Sequence, residues 1–340
     1  MIKQFLVLSL LAFSINGNAQ EISEMNALLD SVISSAKESS YYSTEVNWDS
    51  LTVEMHNLAI DPVDVYDLKP AFTLMLNELR DHHGRIMSTS DYSTIANFTD
   101  RDIQRHADDR EFDSETWAIV NNLESRFQYA LLPGGIGYLK IVAVAGNVDG
   151  QLESERIRAG VCELKKAKVK EWIVDLRYNG GGNINVMLAG IAPLLNTETV
   201  ASIQDESNEI RFTAEVKKGN FWYAGNNVFK MKKGPKLKDP KIAVLTSRWT
   251  VSSGELVAVA FKGQENVQFF GEATGGYTTN TGWQVFDNKI ALVIATGVYC
   301  DRNGVSYDIN VRPDVEIEFV VENDRSKDEG ILQASDWLKE

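Results

Sequence analysis

A serine becomes a useful nucleophile only where the fold exposes its hydroxyl, supplies a base, and places N–H groups where negative charge develops on the attacked oxygen. The stretch Lys241–Gly282 has residues suited to that demand. Lys241–Leu245 is a short apolar run expected to form a buried parallel strand, Thr246–Ser253 is a polar turn, and Gly254–Phe261 has the composition of a helix. A serine at such a strand-to-helix turn has an exposed hydroxyl beside the unpaired N–H groups of the first helical turn. Ser252 is the candidate nucleophile and Ser253 its rival. The competing reading is a helix cap, with one of these serines at the cap and Glu255 supporting it; on this window alone, caps are the commoner use of such residues.

Three further places could supply the remaining parts. Asp175-Leu176-Arg177-Tyr178-Asn179-Gly180-Gly181-Gly182 leaves an expected strand and enters an expected helix, and consecutive glycines let the backbone approach a ligand with its N–H groups turned inward. No Lys-Ser/Thr follows, and the glycines are not spaced G-x-G-x-x-G, which argues against a nucleotide phosphate cradle. The turn is either half of an oxyanion hole or a flexible strand-to-helix connection. His83, after Asp81 and His82, could act as a base, although a lone surface histidine usually has no chemistry. Asp308 lies just before Val311-Arg312-Pro313-Asp314 and could orient a histidine or serve as a turn residue. Acyl transfer needs a nucleophile, a base, an orienting carboxylate and two N–H donors, and the chain has a candidate for each.

These residues need a parallel α/β frame to position them. Leu132–Ile141 reads as a tight turn and a strand. Gln151–Lys166 reads as a helix with apolar positions Leu152, Ile157, Val161 and Leu164. Glu171–Leu176 reads as a strand, Arg177–Asn183 as the glycine turn, and Ile184–Leu195 as a helix. This βαβ pattern repeats with Lys241–Phe261. Val267–Phe270, Trp283–Phe286, Ile290–Thr296 and Val315–Val321 are expected strands, and Glu329–Leu338 is an expected terminal helix. Residues 200–240 have the alternation and lysines of a surface hairpin or lid. Upstream, Ile22, Met25, Leu28, Leu29, Val32 and Ile33 repeat at helical spacing, as does Leu68–Leu79, with a more broken amphipathic stretch, Trp48–Val63, between them. Gly84 is the expected stop of that helical region. Residues 86–128, with the charged run Asp100–Asp113, read as a connection plus a hairpin-like excursion.

With 340 residues there is room for one large domain or two. A formal charge of −14 argues against a nucleic-acid partner, because no basic patch would offset phosphate repulsion. Residues 1–19 have the form of a signal peptide: Lys3, the apolar Phe5–Ile15, then Asn-Gly-Asn-Ala with cleavage expected after Ala19. The expected product is exported, periplasmic or extracellular. No later run reaches the ~20 apolar residues of a membrane span, and no cysteine follows the apolar core to carry a lipid. Cys162 and Cys300 read as two free core thiols. The four histidines make no zinc-type spacing with each other or with cysteine, so neither a metal nor a cofactor is expected.

Together, the Asp175–Gly182 stretch, Thr250-Val251-Ser252-Ser253-Gly254-Glu255, Gly271-Glu272-Ala273-Thr274-Gly275-Gly276 and Pro313-Asp314 resemble the C-terminal-processing/tricorn-type serine peptidase family. Its motifs run D-L-R-x-N-x-G-G, T-x-S-x-x-E and G-E-x-T-x-G in that order. The resemblance implies an α/β fold with a ClpP/crotonase-like βαβ core in a catalytic domain at 116–340, behind an N-terminal helical region at 20–115. It places the nucleophile at Ser252 and one oxyanion donor at Ser253 N–H. Gly181 is the second donor, with Gly180 and Gly182 as alternatives.

The family divides on its base. One branch resembles a Ser–Lys dyad with the lysine shortly after G-E-x-T-x-G; here Gly276-Tyr277-Thr278-Thr279-Asn280-Thr281 has no lysine, and Lys289 comes too late. The tricorn-like branch uses a histidine in the pattern D-x-H, which Asp81-His82-His83 matches, so His83 is the implied base. The acidic third member then falls at Asp308, an Asp where Glu is common. About 50 residues separate His83 from Gly135, too few for the PDZ-like module often found there, so specificity falls to the cleft, with segment 211–238 as wall or lid. The implied function is an exported serine peptidase acting on a peptide or protein. An esterase would use the same residues, and a non-catalytic ligand- or peptide-binding protein on the same fold is the alternative.

Overall fold

The computed structural model describes residues 2–99, 127–146, 148–196, 198–231, 234–235 and 237–340, with side chains from residue 19 onward. Asp100–Asp113 and the expected boundary at 115/116 lie outside the described residues. By packing, the chain forms two compact units: residues 1–103 with 280–297, and residues 104–279 with 298–340.

The first unit begins with helix α1 (Ile2–Ser39), and among its described side chains Met25, Leu28, Leu29, Val32, Ile33 and Ala36 are buried. That is one apolar stripe at helical spacing. Ahead of it, residues 19–24 are exposed or half-buried. Helix α2 (Trp48–Leu58) is capped by Asn47, which accepts the Ser50 N–H. Helix α3 (Lys69–Glu78) ends earlier than expected. Arg80 takes a left-handed conformation (φ 52°), its N–H donates to Asn77 O, and Asp81 N–H donates to Leu76 O. This paired closure is the standard backbone solution for the last helical carbonyls, and it stops the helix before Gly84 is reached. Gly84 is needed for space instead, since a Cβ there would lie 2.8 Å from Leu76 and 2.9 Å from the Asp81 carboxyl. Strands β1 (Arg85–Ser88) and β2 (Thr94–Asn97) then pair antiparallel. Trp48, Met55, Phe72, Met75 and Ile86 share one core with Ile290, Leu292 and Ile294. The segment 280–297, expected within the catalytic domain, thus packs with the N-terminal helices.

The second unit starts with β3 (Gln128–Leu132) and β4 (Ile136–Lys140), joined through Gly134 and Gly135, both at positive φ. Helix α4 (Gly150–Lys166) is capped by Asp149 and leads to β5 (Glu171–Asp175). After α5 (Ile184–Ile191) come β6 (Thr199–Gln204), β7 (Ile210–Lys217), β8 (Asn220–Tyr223) and β9 (Asn226–Asn227). Next are β10 (Lys241–Thr246), α6 (Ser253–Phe261) and β11 (Val267–Gly271). Most of strand β12 (Thr279–Phe286) and the first part of β13 (Ile290–Asp301) belong to the first unit, and the second unit resumes with the end of β13, β14 (Ser306–Tyr307), β15 (Val315–Glu316) and α7 (Glu329–Lys339).

One sheet runs β15-β11-β10-β5-β4-β3 and is parallel apart from the β3–β4 pair. Its central strands are covered on both faces, which is why their sequences are near-continuous apolar runs. On one face Leu139, Trp172, Val174, Ile242 and Val244 join the core that holds α4, α5 and α6. On the other, Tyr138, Ile173, Ala243 and Leu245 meet Ile331, Ala334 and Leu338 of α7. Asp175 is in register with both Lys140 and Leu245, so the carboxyl ends of β4, β5 and β10 are level. Ligand sites of open parallel sheets lie at that end.

Several expectations are corrected here. Within 200–240, β7 and β8 do form an antiparallel hairpin, but it is not confined to the surface: β6, β7 and β8 pair in sequence, and the inner side chains Ala214, Val216 and Phe221 enter the main core. The terminal strand is only Val315–Glu316. In α4, Leu152 is exposed, and Ile157, Val161 and Leu164 form the buried face. Both cysteines are free as expected, but Cys162 is only half-buried; burial pushes the Cys300 thiol up to about 11. Among the described residues, no helix is long and apolar enough to cross a membrane.

Candidate active site

Strand β10 delivers the chain into a turn that is stitched to the glycine turn beside it. Ser247 Oγ donates to Arg177 O (2.6 Å), Thr250 Oγ1 to Leu176 O (2.8 Å), and Val251 N–H to Asn179 O (3.0 Å). Ser252 follows at φ 55°, ψ −123°, and α6 begins one residue later. An L-residue in this region is strained by about 1–3 kcal/mol, and such strain persists only where surrounding structure enforces it. A serine forced into positive φ between a strand and a helix has the geometry of a nucleophile elbow. Ser253 N–H, at the first helical position, has no hydrogen-bond partner among the described residues.

Glu255 is the enforcing group. Its carboxylate is fully buried and accepts four hydrogen bonds: Oε2 from Ser252 N–H (2.9 Å) and Tyr277 N–H (2.7 Å), Oε1 from Thr274 Oγ1 (2.5 Å) and Gly276 N–H (2.8 Å). Burial pushes this carboxyl up to about 7, with the hydrogen bonds opposing the rise. The cap reading holds for Ser252, and the same residue, backed by Glu255, is the strained serine of the turn. Sequence reasoning treated Glu255 only as cap support. Its link to the G-E-x-T-x-G turn joins residues 19 to 22 positions apart, visible only as two motifs recurring together.

The glycine turn is anchored from below. Arg177 is buried and bridges two carboxylates, donating to both oxygens of Asp175 (3.0 and 2.8 Å) and of Asp328 (2.9 and 2.8 Å). Tyr138 Oη adds a bond to Asp175 (2.7 Å). Burial pushes the Asp175 carboxyl up, but the Arg177 charge and these hydrogen bonds outweigh it and hold it below the usual carboxylate range. Asp328 also caps α7, so the network ties the turn to the C-terminal helix. Arg177→Ala, which leaves two buried carboxylates uncompensated, is expected to destabilise the protein by about 3–5 kcal/mol in urea unfolding.

Gly181 and Gly182 have φ of 96° and 98°. A Cβ on Gly181 would lie 2.9 Å from Ser252 Cβ and 3.3 Å from Ser253 N, so this glycine lies directly against the elbow. Its N–H, the expected second oxyanion donor, is engaged by Asn179 Oδ1 at 3.0 Å.

The structure thus brings Ser252, Ser253 and Gly181 together within the second unit. Asp308, also in that unit, is exposed just past β14 and has no hydrogen-bond or ion-pair partner among the described residues. His83 belongs to the first unit, in the turn between α3 and β1, where it is half-buried. Its backbone N–H donates to Oδ1 of buried Asp81 (3.0 Å), whose Oδ2 accepts Ala295 N–H (2.7 Å). Asp81 therefore fastens the His83 turn to β13. Among the described residues, no three His, Cys, Asp or Glu side chains are grouped to hold a metal.

A mixed α/β fold with N-terminal helices and a parallel sheet, carrying a strained serine at the carboxyl end of that sheet, is the arrangement of a serine-peptidase scaffold. The model of Peptidase family S41 matches residues 135–317, more than half of the chain, and the protein belongs to that family. The nisin-resistance protein of Lactococcus lactis subsp. lactis is 33% identical over 154 residues, 45% of this chain and 48% of the relative. The chain thus matches about half the length of that curated relative. Among solved structures, a lipoprotein from Streptococcus agalactiae has a TM-score of 0.67 at 21% identity, covering 92% of this chain and 95% of its own. The photosystem II D1 C-terminal processing protease has a TM-score of 0.60 at 16% identity, covering 90% and 96%. At these identities the structural likeness speaks for the fold.

Proposed function

We propose that this protein is an exported serine peptidase of the tricorn-like branch, with a ClpP/crotonase-like core and no PDZ module, hydrolysing peptide bonds through an acyl-enzyme on Ser252. His83 takes the Ser252 proton as Oγ attacks the scissile carbonyl. The carbonyl π pair moves onto oxygen and is held by Ser253 N–H and an N–H of the glycine turn. The imidazolium then returns its proton to the leaving amine, and water releases the acyl group. The observation that carries this reading is Ser252 at φ 55°, at the start of α6, with Gly181 packed against it.

The signal-like residues 1–19 and the likeness to a lipoprotein structure support export. Membership of Peptidase family S41 supports a peptide substrate. A fluorophosphonate is expected to label Ser252 of the folded protein, with labelling slowed at least ~10²-fold in His83→Ala. An unlabelled Ser252 in protein that cleaves peptides would refute the nucleophile. Cleavage of esters but not peptides across a substrate panel would instead make the protein an esterase.

A further inference from the structure

Each peptide unit of the glycine turn has its direction set by a hydrogen bond, and the three bonds leave two N–H groups unclaimed, those of Gly180 and Gly182, which are set to point in different directions. The peptide joining Asn179 to Gly180 turns its carbonyl to Val251 N–H (3.0 Å). A trans peptide points its N–H opposite its C=O, so Gly180 N–H is directed away from the nucleophile turn. The next peptide gives its N–H, that of Gly181, to Asn179 Oδ1 (3.0 Å). The third turns the Gly181 carbonyl to Val144 N–H (3.0 Å), so Gly182 N–H points away from Val144. It has no acceptor among the described residues, and Gly182 is exposed to solvent.

Asn179 sets this pattern. It is completely buried, with Nδ2 3.1 Å from Met187 Sδ. It is also wedged against the first turn of α6, where a Cβ on Gly254 would lie 2.6 Å from Asn179 O and 2.8 Å from its Oδ1. A single side chain thereby fixes the glycine turn and the start of the helix relative to each other. Resting on Ser252 as nucleophile, we infer that Asn179 is a positioning residue for the oxyanion site: by claiming Gly181 N–H it locks the glycine turn in the arrangement that leaves Gly182 N–H, one of the donors the family resemblance allows, to act beside Ser253 N–H. Occupying Gly181 N–H with an internal acceptor costs the site nothing under this arrangement. It also stops the peptide from rotating when charge develops, which is the preorganisation that makes such donors effective.

Two measurements test it on the full chain. In a crystal structure of the Ser252 phosphonyl adduct, the phosphoryl oxygen is expected within about 3.2 Å of Gly182 N and Ser253 N, with Gly181 N still on Asn179 Oδ1. An oxygen bound to Gly181 N, with the Asn179 bond broken, overturns the inference while leaving Ser252 as nucleophile. Absence of any adduct at Ser252 overturns the nucleophile itself. In kinetics, Asn179→Ala is expected to lower kcat by about 10²-fold with KM within about twofold. Asn179→Ser keeps an acceptor two residues before Gly181 N–H and should recover about tenfold of that loss. A folded Asn179→Ala variant with unchanged kcat, or a Ser variant no better than Ala at equal melting temperature, assigns Asn179 a merely structural role and overturns the proposal.

Discussion

Ser252→Ala is expected to lower peptide hydrolysis by about 10⁴-fold or more, because the hydroxyl is the only group proposed to bond covalently to substrate. The same position should show an unusual stability pattern. Ser252 is held at φ 55°, ψ −123°, where an L-residue is strained whatever its side chain. Alanine keeps that strain and glycine removes it. Both variants lack the hydroxyl, so comparing them isolates the backbone contribution. Ser252→Gly is expected to be more stable than Ser252→Ala by about 1 kcal/mol, although an exchange into an ordinary helix or strand interior costs about 0.5–1 kcal/mol in the opposite direction. Urea unfolding of the two inactive variants, side by side, gives the answer. An alanine variant as stable as the glycine variant would show that the elbow stores no strain.

The second large effect is expected at Glu255. Four donors converge on its two oxygens, two to each. In Glu255→Gln one oxygen becomes an NH₂ group. That group would face either Ser252 N–H and Tyr277 N–H, or Gly276 N–H and a Thr274 hydroxyl that already accepts Val311 N–H. Either choice sets donors against donors. Leaving buried donors unmet costs about 1–3 kcal/mol each, so a loss of at least ~2 kcal/mol is expected. Release of Ser252 N–H should lower kcat by about 10²-fold through misplacement of the nucleophile.

The pH dependence has two opposite signs. Burial raises this carboxyl from 4.5 to about 7 in the folded protein. Between those values the native state holds a proton that the unfolded chain has released. The proton-linked stability from this group is therefore fully present below about pH 4.5 and is lost as pH rises through about 7. Hydrolysis runs the other way, since only the ionised carboxylate accepts all four donors, and activity should rise through the same range. Unfolding by urea at pH 5, 6, 7 and 8, paired with kcat/KM, tests both. Glu255→Gln should lose this stability slope. An unchanged slope in the variant would mean that another group carries it.

Much of the frame and the place of the candidate serine was legible along the chain because those signals are local. Apolar runs as short as Glu171–Leu176 and Lys241–Leu245 are what strands buried on both faces require, and the helices that follow them show helical periodicity. Ser252 could be placed at a strand-to-helix junction because the junction is a change of pattern within a few residues. Other readings failed where a local signal competed with packing. Gly84 looked like the helix stop, but the Arg80 backbone closes α3 first, and Gly84 is small because Asp81 and Leu76 crowd it. The alternation and lysines of 200–240 did mark the β7–β8 hairpin but not its buried face, because period-two alternation fits equally a surface hairpin and one with a face in the core.

By itself, then, the sequence determined the order of strands and helices, the family motifs, and which serine stands at the turn. Tertiary structure alone decided what those motifs do to one another: that Glu255 ties Ser252 to Gly276 and Tyr277, that Asn179 claims Gly181 N–H, that Asp328 reaches Arg177 across 151 positions, and that residues 280–297 pack with the N-terminal helices. The physical reason is that periodicity reports which face of an element is buried. The partner of a buried polar group is set by hydrogen-bond geometry between segments far apart in the chain, which no local pattern encodes.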